Sequence, residues 1–190
     1  MKELSIEQIK KSPLSVFHPP ISNTKRWAAM NILRVHNLIA KGEELKKKTE
    51  AVRAQPLTRD TKLKLLPSVT FSGTFEVRND NSRLSTSNML CIDIDNLNEK
   101  IEWAKERINN QIDVVLMSFV SPSTNGLKVI VPIDEESYSF KDWYFAISLY
   151  LSEKCEIDFS HFDQKCSNVS RCCLLCHDPE AFINPILLEK

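Results

Sequence analysis

Residues 89–95 read Met-Leu-Cys-Ile-Asp-Ile-Asp, an apolar run that closes on two alternate carboxylates. Successive side chains of an extended strand point to opposite faces. Leu90, Ile92 and Ile94 then share one face, and Cys91, Asp93 and Asp95 share the other. At about 3.3 Å of rise per residue the two carboxylates stand roughly 7 Å apart at Cα, close enough to reach a common pair of divalent cations. Acids beside apolar neighbours repel one another and resist ionisation unless a metal, a cation or water compensates them. The plain alternative is a strand that ends in a solvated Asp-Asn turn.

Two further clusters lie downstream. Ser121-Pro122-Ser123-Thr124-Asn125-Gly126 is a turn, with Asn-Gly as its tight corner. Lys128 follows it, alternating with Leu127 and Val129 on a returning strand and so lying on the face away from the core. Backbone N–H groups, the serine and threonine hydroxyls and an adjacent lysine can together hold a phosphate, although a surface lysine is the simpler explanation. Asp163 lies in Phe-Asp-Gln-Lys, and Arg171 follows within the largely apolar segment 169–175. An arginine there calls for an anion, either a ligand or a nearby acid such as Asp163 or Asp158.

Cys166, Cys172, Cys173, Cys176 and His177 lack the two Cys-x-x-Cys pairs of a zinc site, and read as buried thiols acting as small apolar groups. The histidines offer no nucleophile pairing, and no Gly-rich phosphate loop or hydrolase elbow is present.

These groups need elements to hold them. Of the 190 residues 42% are hydrophobic, enough for a real core, and no run approaches the roughly 18 apolar residues of a membrane span. The start, Met-Lys-Glu-Leu-Ser-Ile-Glu, has no apolar signal region, so the expectation is a cytoplasmic chain without a membrane partner and with its six cysteines reduced. Residues 5–11 fit a short helix, and Phe17-His18-Pro19-Pro20 is extended. Asn23 or Thr24 is placed to cap a long helix from about Lys25, with Trp27, Met30, Leu33, Leu38 and Ile39 as its stripe. Gly42 separates it from a charged helix over 43–53. Pro56 and the polar residues 58–61 mark a boundary, dividing a basic helical extension (1–54) from a core (55–190).

Residues 1–64 carry 14 Lys/Arg against 6 Asp/Glu, a balance of +8, and the remainder carries −8. That asymmetry fits a polyanion on the first part and bound cations on the second, unless the Lys46-Lys47-Lys48 face is merely solvated. From about residue 62 strands dominate, at 68–71, 73–77 and 89–95. A helix over 97–110, a central apolar strand over 113–120 and its hairpin partner over 127–133 follow. Ser139-Phe140-Lys141-Asp142 opens a helix that buries Phe140, Trp143, Tyr144, Ile147 and Leu151. Residues 169–176 form a last strand. Strand, helix, hairpin, helix, strand describes an α+β sheet layered with helices.

Three blocks now stand in order: Leu-Cys-Ile-Asp-Ile-Asp (90–95), Ser-Pro-Ser-Thr-Asn-Gly-Leu-Lys (121–128) and Phe-Asp-Gln-Lys-Cys-Ser-Asn-Val-Ser-Arg (162–171). Together they resemble the motifs of the archaeo-eukaryotic primase (primase-polymerase) superfamily, most closely its VirE N-terminal-like branch from bacterial mobile elements. Leu-Pro-Ser-Val-Thr-Phe-Ser-Gly at 66–73, and Asp178-Pro179 and Asn184-Pro185 after Arg171, are similar to that branch as well. The resemblance spans roughly residues 55–186.

It implies an RRM-like antiparallel sheet with helices and an additional α/β unit, beside the N-terminal helices. It also implies a metal-dependent nucleotidyltransferase that makes or extends primers in mobile-element or phage-like replication. The substrates would be nucleoside triphosphates on a single-stranded or primed DNA template, with a separately encoded helicase-like ATPase as a partner. Mg²⁺ or Mn²⁺ would lie on Asp93, Asp95 and Asp163. Ser121, Ser123, Asn125, Gly126, Lys128 and Arg171 would face the nucleotide. Lys128 stands where the superfamily usually has histidine, and a lysine meets a triphosphate as a point charge. A non-catalytic nucleotide- or nucleic-acid-binding module and a metal-dependent nuclease are alternatives that use the same residue types.

Overall fold

The structure, a computed structural model, describes residues 5–54 and 59–189. The chain runs α1 (Ile6–Lys11), β1 (Leu14–Phe17), β2 (Ala28–Met30), α2 (Ile32–Lys41), α3 (Glu43–Arg53), α4 (Arg59–Leu65), β3 (Ser68–Thr70), β4 (Gly73–Phe75) and β5 (Arg83–Thr86). It continues through β6 (Met89–Ile94), α5 (Ile101–Gln111), β7 (Met117–Val120), β8 (Leu127–Pro132), α6 (Phe140–Cys155), β9 (Cys173–Leu174) and β10 (Phe182–Ile183).

Pairing sorts the strands into an antiparallel sheet β10-β7-β8-β6, a second sheet β2-β1-β3-β9 and a ribbon β4-β5. The order β6-α5-β7-β8-α6 is completed by Phe162, which bridges Ile94 on the outer edge of β6. This β-α-β-β-α-β arrangement is the α+β, RRM-like sheet expected from the sequence. The sheet β2-β1-β3-β9, with its helices, is the additional α/β unit.

Alternation along the strands decides what each face meets. Leu90, Ile92 and Ile94 of β6 and Leu127, Val129 and Val131 of β8 bury against Ala104 and Ile108 of α5 and Tyr144 and Leu151 of α6. The opposite face contributes Met89, Met117, Phe119 and Ile130 to a core shared with Leu14, Val16 and Val69 of the second sheet. Val35, Ile39, Leu45 and Val52 of α2 and α3 close that core. A sheet covered on both faces explains the near-continuous apolar runs in its strands. Ser139 caps α6 by accepting the Asp142 N–H at 3.2 Å, as its spacing suggested.

Several expectations are corrected. The helix does not begin at Lys25, because Ala28–Met30 pairs with β1 in the register Leu14↔Met30 and Val16↔Ala28. Asn31 then starts α2 by accepting the Arg34 N–H at 3.0 Å, and Trp27 is left 53% exposed, its ring tilted against His18 at 4.0 Å. Residues 14–53 are not an appended arm, since β1 is an interior strand paired with β3 and its side chains are fully buried. Helix α4 persists to Leu65, so strands begin later than residue 62. The central strand covers only Met117–Val120. The last strand shrinks to Cys173–Leu174, because Asp80 accepts from Asn168 Nδ2 and the Ser170 N–H and holds those residues in a turn. Strands β5 and β10 had no clear sequence signal, and Pro56 lies outside the described residues. Among the described residues no helix is long and apolar enough to cross a membrane.

Leu14 is fully buried in the core shared by the two sheets. Leu14→Ala is therefore expected to cost about 2–5 kcal/mol of stability in urea unfolding, as for a buried leucine that leaves a cavity. Deleting residues 1–54 should abolish cooperative unfolding. An appended arm would leave both measurements unchanged.

Candidate metal and phosphate cleft

The site begins with strand register. Asp93 of β6 and Phe119 of β7 both lie opposite Lys128 of β8, so the three form a row across the sheet. The Lys128 ammonium lies against Asp93 Oδ1, and the two side chains are only 12% and 16% exposed. Burial alone would favour the neutral amine. The Asp93 carboxylate outweighs it and holds the Lys128 pKa above the ordinary lysine value. Lys128 is thus on the face away from α5 and α6, as alternation required, but it is enclosed between the two sheets.

Asp163 reaches the row along the free edge of β6. The Asp95 N–H donates to His161 O at 2.8 Å, and the Asp163 N–H donates to Asp93 O at 3.0 Å. These bonds give an edge strand the partner it would otherwise lack. The Tyr144 hydroxyl, carried by α6, donates to Asp163 O at 2.8 Å and lies 3.4 Å from the Asp93 N. It joins helix, edge strand and loop at one point.

The carboxylates then divide their oxygens. Asp163 Oδ1 accepts the Lys165 N–H at 3.0 Å. Asp163 Oδ2 lies 3.2 Å from the Cys166 sulfur and 3.7 Å from Arg171. The same sulfur is 3.7 Å from Asp93 Oδ2. Ligand atoms of Asp93, Asp163 and Cys166 all lie within 4.8 Å of one another, a gap one cation can span.

Asp95 falls outside that trio, although burial and the charge of Asp93 raise its pKa. For Asp163 burial acts the same way, but the Lys165 N–H, the Cys166 thiol and Arg171 prevail and lower it. Burial, then Asp93, pushes the Cys166 thiol upward, so without a cation it is protonated and donates to Asp163.

Asp93, Asp95 and Asp163 share a cleft of about 900 Å³ between the two sheets with Lys128, Arg171 and the Ser121–Ser123 turn. Lys62, Arg78 and Lys165 line it too, and were not anticipated. Arg78 lies over the Phe17 ring at 5.6 Å, donates to Ile21 O and lies 3.1 Å from the Cys172 sulfur, while its buried Nε has no hydrogen-bond acceptor among the described residues.

Asn125 and Gly126 do not line the cleft. Asn125 instead clamps the loop after β6, accepting the Leu97 N–H at its carbonyl (3.0 Å) and the Asn98 N–H at Oδ1. Gly126 is packed so closely that an added Cβ would stand 2.3 Å from Ile94 O. Cys172, Cys176 and His177 do not converge: their neighbours are Arg78, Val120 O and Ile39 O respectively.

Two participants were hidden in the sequence for different reasons. In the sequence Cys166 is one thiol among several, yet a 3-10 turn over Gln164–Cys166 brings it back to the acid three residues earlier. Tyr144 was recognised as a buried helix residue, but its hydroxyl contact lies 19 residues away. Gly126→Ala should destabilise the protein by about 1–3 kcal/mol in urea unfolding, because the new methyl meets backbone that cannot swing aside. An unchanged midpoint would show that β6 and the turn are not in this contact.

Residues 60–182 match a family model described as BT4734-like, N-terminal domain. No curated protein and no solved structure matches the chain.

Proposed function

The chain belongs to the BT4734-like N-terminal domain family, and we propose that its cleft serves a metal-dependent nucleotidyltransferase that binds nucleoside triphosphates and extends a nucleic-acid primer. One observation carries this reading. Three separated segments, at 91–95, 121–128 and 163–171, converge on one cleft with both carboxylates and cations. Carboxylates alone would repel a triphosphate and cations alone would not hold a metal, so the combination favours a metal–phosphate ligand.

The residues divide the work by charge. Asp93 and Asp163 would hold a divalent ion, Mg²⁺ or Mn²⁺ in the simplest case, with Asp95 close enough to bear on a second. Such an ion supplies charge neutralisation to the phosphates and lowers the pKa of an attacking hydroxyl. Lys128 and Arg171 would meet phosphate oxygens, the second through a half-exposed guanidinium. The Ser121 and Ser123 hydroxyls, which contact each other at 3.1 Å, can turn outward to donate. The template would be single-stranded or primed DNA, entering past Lys62 and Arg78 at the cleft wall.

A second reading has its own support. The Lys128 ammonium already neutralises Asp93 Oδ1, which suits a module that binds nucleotide without turning it over. Mn²⁺, nucleoside triphosphate and primed template together separate the readings. Strand extension that Asp163→Asn abolishes supports the transferase, and nucleotide binding with no extension supports the module. Shortening of the strand indicates a nuclease.

Arg171→Ala should weaken triphosphate binding about tenfold, near the 1.5 kcal/mol of a charge-assisted hydrogen bond, and leave nucleoside binding unchanged. Equal losses for the two ligands in calorimetric titration would assign Arg171 to its ion pair with Asp163 alone.

A further inference from the structure

The divalent-ion reading above names a site, and the donor atoms there bear on which ion it takes. Cys166 is 6% exposed and is the sulfur donor of the trio it forms with Asp93 and Asp163. Asp93 turns Oδ1 to Lys128 and Asp163 turns Oδ1 to the Lys165 N–H. The two remaining oxygens, both Oδ2, face the Cys166 sulfur at 3.7 and 3.2 Å. Around a tetrahedral ion with bonds of about 2.3 Å to sulfur and about 2.1 Å to oxygen, neighbouring sulfur and oxygen ligands stand roughly 3.6 Å apart. The two distances bracket that value.

We propose that Cys166 is a metal ligand, and that one oxygen from each of Asp93 and Asp163 with this sulfur selects a borderline-soft divalent ion such as Zn²⁺ or Co²⁺ over Mg²⁺. Magnesium demands near-octahedral oxygen ligation and keeps its waters. Thiolate sulfur adds little for it, and favours the softer ions. Three protein ligands leave a coordination position open, the arrangement of a site that also receives a substrate oxygen. On binding, the sulfur–metal bond forms as the thiol proton leaves to solvent, with no change of oxidation state. Lys128 keeps the Oδ1 of Asp93, whereas Arg171, 3.7 Å from Asp163 Oδ2, shares that oxygen with the incoming ion.

Cobalt titration of the metal-free protein tests this without an activity assay. The parent should develop a near-ultraviolet sulfur-to-cobalt charge-transfer band, and an excess of Mg²⁺ should fail to remove it. Cys166→Ser should bind Co²⁺ through the carboxylates with the band lost, and Mg²⁺ should then displace the ion. Cys91→Ala, Cys172→Ala and Cys173→Ala, at the other thiols on the cleft wall, should keep the band. Cobalt binding to the parent without a band, measured by calorimetry, would overturn the sulfur ligand while sparing an oxygen-only ion site. A band that survives in Cys166→Ser would overturn it as well. No cobalt binding to the parent at all would remove both this inference and the divalent-ion reading beneath it.

Discussion

Asp93 and Lys128 lie opposite each other in the β6–β8 ladder, both nearly shut off from water. Taking the two charges out of solvent costs several kcal/mol for each, and only close contact with further hydrogen bonding offsets it. Strand register meets that condition. A slip of β6 by one residue would turn Asp93 toward α5 and α6, away from Lys128, and expose Leu90, Ile92 and Ile94 to the cleft, so the charged row and the apolar face enforce the same alignment. The pair also sets the electrostatics of the cleft, because Asp93 keeps only Oδ2 for anything that enters. Removing either partner would leave the other as a buried, uncompensated charge.

The edge of β6 supplies the second constraint. An unpaired strand edge normally has to be protected, and here residues 161–163 protect it while delivering Asp163 to the row. Tyr144 couples that loop to α6, whose inner face is locked in the apolar layer. The acids therefore sit on a strand edge held by three elements, which favours the fixed geometry a metal or phosphate needs. Arg171 is held less tightly: it follows a turn pinned by Asp80 and keeps nearly half its surface in solvent. An enclosed acidic wall and a half-exposed cation across from it suit a ligand that has to arrive and leave.

Local patterns were legible in the sequence, and distant pairings were not. The period-two alternation of residues 89–95 put Asp93 and Asp95 on one face, and Asn125-Gly126 marked the hairpin that brings Lys128 back beside them. The Ser139 cap and the apolar stripe of α6 were equally local. By contrast, the strand at Ala28–Met30 exists because Leu14–Val16 lies beside it, and helical periodicity continued from α2 concealed it. The link between residues 14–17 and the rest is equally distant, since β1 finds its partner β3 more than 50 residues downstream. Cys166 and Tyr144 acquire their roles from a 3-10 turn and from a helix crossing, neither of which leaves a spacing rule. Asn125 and Gly126 had the composition of a phosphate turn, but their groups are committed to the loop after β6.

Family membership fixes no chemistry for this chain, so the account rests on the convergence of acids and cations in one cleft. We propose that a divalent ion and a triphosphate occupy that cleft together. The most direct measurement is a crystal structure with Mn²⁺ and a non-hydrolysable nucleoside triphosphate, using anomalous scattering to locate the ion. An anomalous peak within bonding distance of Asp93 and Asp163 is expected, with the phosphates directed toward Lys128 and Arg171. An ion bound elsewhere, or a triphosphate seated outside the cleft, would contradict it.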